Sequence, residues 1–212
     1  MIGMKRQFLV IGALFLVCST AMCIGQVQIP DNFTQAYGRI EATQKEIETI
    51  YLAYEAQVDK RVEYVEKQKI SVNVDNKYLL SLLESESLLI DELSQKSVTY
   101  SGQINDLFNE SKEIKNADAK SKATELIITL RNSQQNLSNG ALSLKEATQL
   151  SGGAIYYYAT GADLNDPVIK KEIEDLNLNS KSLFDMAVSQ LSSYYNGTIE
   201  AKALYEELIK LK

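Results

Sequence analysis

Histidine and tryptophan are absent from this 212-residue chain, only two cysteines and two prolines occur, and no basic cluster stands out among 22 basic and 28 acidic residues. Each scarcity excludes something. Without His, and with Cys18 and Cys23 as the sole thiols, zinc sites and Cys- or His-based nucleophilic catalysis lack their usual side chains, and His-ligated haem and the Glu-x-x-His dimetal centre of ferritin-like bundles are excluded with them. The expectation is a non-enzymatic protein with no catalytic residues, no cofactor and no metal. Dispersed Lys and Arg under a formal net charge of −6 do not make a phosphate-binding surface, so no nucleic-acid partner is expected. The charges read as a mixed, solvated face.

The longest apolar stretch is Phe8 to Ile24, FLVIGALFLVCSTAMCI, preceded by Lys5-Arg6. At 1.5 Å per residue it covers about 25 Å, slightly less than a bilayer core. Residues 1–25 therefore read as a signal peptide or a membrane anchor, with small residues at Ser19-Thr20-Ala21 or Cys23-Ile24-Gly25 available for cleavage. Basic residues on its amino side hold that side in the cytoplasm, which puts residues 26–212 beyond the membrane, secreted or anchored through residues 8–24. Prokaryotic lipoprotein signals place a small residue before the modified cysteine, whereas Met22 precedes Cys23 and Val17 precedes Cys18, so lipidation is disfavoured. Both cysteines lie in this segment, and the body must be stable by packing alone.

Within the body, apolar residues recur at steps of three and four, and no segment sustains strand alternation. Helix A follows Pro30 and uses Ile40, Ile47, Tyr51, Tyr54, Val58, Val62 and Val65. A break at 71–76 leads to helix B, with Leu79, Leu82, Leu83, Ile90, Leu93, Tyr100, Ile104, Leu107 and Ile114. After a turn at Asn116-Ala117-Asp118, helix C uses Ala123, Leu126, Ile127, Leu130, Leu137, Ala141, Leu144, Ala147 and Leu150 and runs out near Thr160-Gly161. Asn165-Asp166-Pro167 offers a capping Asp with Pro at the first helical position, opening helix D with Ile169, Ile173, Leu176, Leu183, Ala187, Leu191, Tyr194, Leu204 and Leu208. The turn between B and C lacks Gly and Pro, and a continuous helix there would give a rod that pairs with a second chain. Asn139-Gly140, Gly152-Gly153 and Asn196-Gly197 are expected kinks or local ends.

Four helices of about 40 residues bury their stripes fully by lying side by side. The predicted fold is all-α: an elongated antiparallel four-helix bundle, up-down-up-down, after the amino-terminal segment. Glu86, Ser97, Gln134, Thr148 and Ser180 interrupt the stripes. A shift of register is the simplest account, and a partly polar interior is the other. Glu86, between Leu83 and Ile90, is expected at the bundle edge, because a buried carboxylate needs a cation or a raised pKa.

Tyrosine is the distinctive residue, 12 in all. The A–B and C–D connections would share the membrane-distal end, bringing Tyr64 and Tyr78 level with Tyr156, Tyr157 and Tyr158. Three consecutive helical residues fan over about 200°, so at least one of the three must face outward. Either these rings cap the end against each other, or they form a patch for a protein or glycan partner at the cell surface, apolar in the ring and hydrogen-bonding at the hydroxyl. Tyr64, Tyr78, Tyr156, Tyr157 and Tyr158 are the candidate partner-binding residues. Asp163-Leu164-Asn165-Asp166 lacks the spacing of an EF-hand loop, and Asp166 already has a capping role. Sequons at Asn32, Asn109, Asn136 and Asn196 matter only in a host that glycosylates exported chains. The arrangement resembles the four-helix periplasmic domains of chemoreceptors, and a ligand-sensing domain acting with a membrane partner is the alternative to a binding or structural module.

Overall fold

The computed structural model describes residues 29–68 and 75–211. The apolar run at residues 8–24 lies outside them. Four long helices pack against one another: α1 (Asp31–Gln68), α2 (Asn76–Glu110), α3 (Ala117–Ala159) and α4 (Pro167–Lys210), with a single 3₁₀ turn, Ser111–Glu113, after α2. No strand occurs among the described residues, and no helix there is long and apolar enough to cross a membrane.

The helix boundaries follow local chemistry. Asp75 accepts from the amides of Lys77 and Tyr78 and opens α2. Asp166 accepts from the Val168 amide, with Pro167 in the first turn of α4 where its missing N–H is not needed. Between α2 and α3 no rod forms. Ile114 and Asn116 take extended ψ values of 114° and 129°, and the Asn116 side chain caps α3 through the Ala119 amide, so an Asx cap does there what Gly or Pro does elsewhere. Gly161, at φ 69°, ends α3 in the left-handed conformation, and the Ala162 amide reaches back to the Tyr157 carbonyl.

The buried residues step by seven. On α2 they are Leu79, Glu86, Leu93, Tyr100 and Leu107, with Leu83, Ile90, Ser97 and Ile104 four residues after the first four of them. On α3 the series is Ala119, Leu126, Ser133, Gly140, Ala147 and Ala154, and on α4 it is Ile173, Ser180, Ala187, Tyr194, Ala201 and Leu208. Ser133 donates to the Tyr194 carbonyl at 3.2 Å, a Cβ on Gly140 would lie 3.5 Å from the Ala187 carbonyl, and Ser180 donates to the Ala147 carbonyl at 2.8 Å. Position numbers rise by seven on α3 as they fall by seven on α4. Each of these facing pairs contains a small residue, which lets the two backbones approach closely.

α1 and α4 meet differently, through rings. Tyr37 stacks on Tyr205 with centroids 3.7 Å apart, and Tyr51 meets Tyr195 edge-on at 6.1 Å. Tyr100 and Tyr194 continue this aromatic filling inward at 6.2 Å. The wide seam takes large side chains and the narrow α3–α4 seam takes small ones, and the core remains continuous from Phe33 to Leu208.

The structure corrects two expectations about the stripes. Gly140 and Gly197 are not helix ends, since α3 and α4 run through them; they are close-approach sites, with Leu191 against Gly140 and Ser133 against Gly197. The polar interruptions are not register shifts. Glu86, Ser97, Thr148 and Ser180 are all buried and Gln134 is half-buried. They find partners inside: Gln134 donates to the Ser97 hydroxyl, Ser180 donates to the Ala147 carbonyl, and Ser151 shares a bond with Ser180.

Candidate functional site

Glu86 is the sharpest departure from expectation. It is not displaced to an edge but is wholly buried, because Arg61 reaches it with a two-pronged bond, Nε to Oε1 at 2.7 Å and Nη2 to Oε2 at 3.2 Å. Arg61 stands seven residues after Tyr54 and fourteen after Ile47, on the face that is apolar earlier in α1. That spacing was the available signal for a cation at Glu86. With Tyr54, Thr148, Ser151 and Ser180, the pair forms a polar level to which all four helices contribute. Burial, with the Glu86 charge next, drives the Tyr54 phenol well above its ordinary pKa.

Beyond this level lie the five candidate tyrosines. Tyr64 and Tyr78 meet edge to face at 4.8 Å, and the Tyr64 hydroxyl accepts from the Asp75 amide at 2.8 Å. Leu83 of α2 lies beside Gly152 of α3, 3.9 Å from where a Cβ would sit. Tyr78 and Tyr156 are therefore about one turn beyond that contact on their two helices. Tyr156 and Tyr158 are 61% and 47% exposed, and Tyr157 is half-buried, its hydroxyl bonded to Glu172 of α4. That bond holds the Tyr157 phenol above its ordinary pKa. The first two tyrosines thus pack together, whereas the triplet makes no ring pair with them. The fan of three behaves as the 100° step requires, two outward and one against α4.

Apolar neighbours beyond the five candidate tyrosines complete this end. Val62, Val65, Leu164 and Val168 are exposed with Tyr78, Tyr156 and Tyr158, and a shallow, open hollow lies over Pro167, Val168, Lys171, Glu172 and Asp175 on α4. The connecting loop is rigidified locally, since Asp163 accepts from the Asn165 amide at 2.9 Å and Asp166 from the Val168 amide at 2.8 Å. These carboxylates are occupied by a turn and a helix cap. Val62 and Val65 continue the α1 stripe in sequence, yet both are exposed. Among the described residues, no three His, Cys, Asp or Glu side chains converge as a metal-holding group.

The arrangement offers ring faces, phenol hydroxyls, short aliphatic side chains and a preformed polar loop. Such a surface can bind an apolar or sugar face and orient it by hydrogen bonds. No known protein family matches this chain, and neither the curated proteins nor the solved structures contain a match.

Proposed function

We propose that the chain is an exported, non-enzymatic binding or structural module: an antiparallel up-down-up-down four-helix bundle, secreted or held at the membrane by residues 8–24, whose far end engages a protein or glycan at the cell surface. The opposite seven-residue steps on α3 and α4, together with the Arg39–Asp106 and Lys122–Glu207 ion pairs at matched levels, support the up-down-up-down reading. The Lys5-Arg6 flank and the uncharged run after it support export.

The observation that carries the binding role is a concentration of exposed apolar side chains. Val62, Val65, Tyr78, Tyr156, Tyr158, Leu164 and Val168, from all four helices and one loop, are exposed and belong to the turns next to the α1–α2 and α3–α4 connections. Exposed apolar residues scattered singly need no explanation, but a cluster with polar groups at its border is a contact surface. The purified protein is applied to native envelopes beside the double variant Tyr156→Ser/Tyr158→Ser. Retention falls about tenfold or more in the variant with helicity unchanged if these rings are anchors; equal retention contradicts the assignment. Fractionation of the native cell tests export, and a cytoplasmic mature chain contradicts it.

A further inference from the structure

The last turns of α1 place no side chain fully in the core. From Asp59 to Lys67 every side chain is exposed or half-buried, while Leu79, Leu82 and Leu83 of α2, Ala154 of α3 and Ile173 of α4 stay buried. Among the described residues, two polar contacts fasten those turns to α2 and its cap: the Arg61 fork on Glu86, and Tyr64, whose hydroxyl takes the Asp75 amide while its ring edge meets Tyr78. Tyr78, Leu82 and Glu86 follow one another at four-residue steps and so share one face of α2. The outer two touch α1, so Leu82 between them lies beneath the same turns. A helical segment held by polar contacts, with no core of its own, opens at a lower free-energy cost than the packed helices around it.

We infer that residues 59–68 form a latch that swings off α2 as a unit, with Arg61–Glu86 as its catch, uncovering Leu82 and the inner side of Tyr78 while α1 up to Val58 stays packed. The closed form is favoured because opening breaks the two-pronged Arg61 bond to a carboxylate that is wholly buried when closed. Replacing both members by apolar residues removes that charge and glues the segment down instead. The inference stands on packing alone and does not require the binding role proposed above.

Peptide-resolved amide hydrogen exchange on the purified protein tests it, comparing wild type with Arg61→Ala and with Arg61→Leu/Glu86→Leu. In the wild type, amides of residues 60–67 exchange faster than those of residues 40–57. Arg61→Ala accelerates residues 60–67 about tenfold further and leaves residues 40–57 unchanged, whereas the double Leu variant slows residues 60–67 below wild type. Uniform protection along wild-type α1, acceleration spread over all four helices in Arg61→Ala, or a double Leu variant as open as Arg61→Ala would each overturn the latch. If Arg61→Ala does not fold, wild type against the double Leu variant still decides.

Discussion

Tyr37 of α1 and Tyr205 of α4 lie face to face, their ring centroids 3.7 Å apart and their planes within 11° of each other. Tyr37 is 1% exposed and belongs to the core, whereas Tyr205 packs against that core from its edge. With little close backbone contact between α1 and α4, this stack is a main fastening of the seam. Tyr37→Ala is expected to cost about 3–5 kcal/mol, the range for a buried large aromatic. Tyr158→Ala, at a solvent-facing position, should stay within about 0.5 kcal/mol of wild type. Urea unfolding followed by helicity measures both, and comparable losses would contradict the distinction between filler and surface tyrosines.

Four glycines within the helices should split by sign. A Cβ on Gly140 meets Leu191 Cγ at 2.8 Å, and one on Gly197 collides with the Ser133 hydroxyl, whereas Gly38 and Gly102 have open space. Gly140→Ala and Gly197→Ala should each lose about 1–3 kcal/mol through overpacking. Gly38→Ala and Gly102→Ala should each gain about 0.5–1 kcal/mol from helix propensity. Thermal unfolding of the four variants checks the pattern.

Strong alkali should unfold the protein through its interior phenols. Burial, reinforced by Glu55 beside Tyr51 and Glu48 beside Tyr195, pushes both up to about 12, from an ordinary value of 10.0. Tyr37, Tyr54, Tyr100 and Tyr194 are raised further, chiefly by burial. The folded chain holds these groups neutral and the unfolded chain ionises them, so their contribution to stability is complete below pH 10 and is lost as pH rises through 12. The urea midpoint should fall steeply between about pH 10 and about pH 12, and the phenolate absorbance of the interior tyrosines should appear together with loss of helicity. Ionisation of those tyrosines at their ordinary value in a fully helical protein would contradict the packing.

Most of the fold was legible in the sequence. Asp166-Pro167 marks the start of α4 by capping chemistry, and Asn116 marks the turn before α3 without Gly or Pro. Steps of three and four, along α2 above all, identify the residues that prove buried. Periodicity assigns a face but not what lies opposite it. Glu86 looks like a flaw on its own helix, and Arg61 draws no notice, until both are known to occupy one level, and Gly140 and Gly197 look like weak points until α4 and α3 are brought against them. Val62 and Val65 carry the right spacing, yet they remain uncovered. The exposed end was legible only in its tyrosines; Leu164 and Val168 join them because the α3–α4 loop holds them there.

A photo-reactive residue placed in turn at Tyr156, Tyr158, Val168, Leu88 and Val98, in the protein at its native surface, tests the central claim most directly. Leu88 and Val98 are 71% and 74% exposed but lie along the body of α2, away from the tyrosine-bearing end. The account predicts one common cross-linked product from Tyr156, Tyr158 and Val168 and none from Leu88 or Val98. Cross-linking from the body of α2 alone, or equally from all five positions, would contradict it.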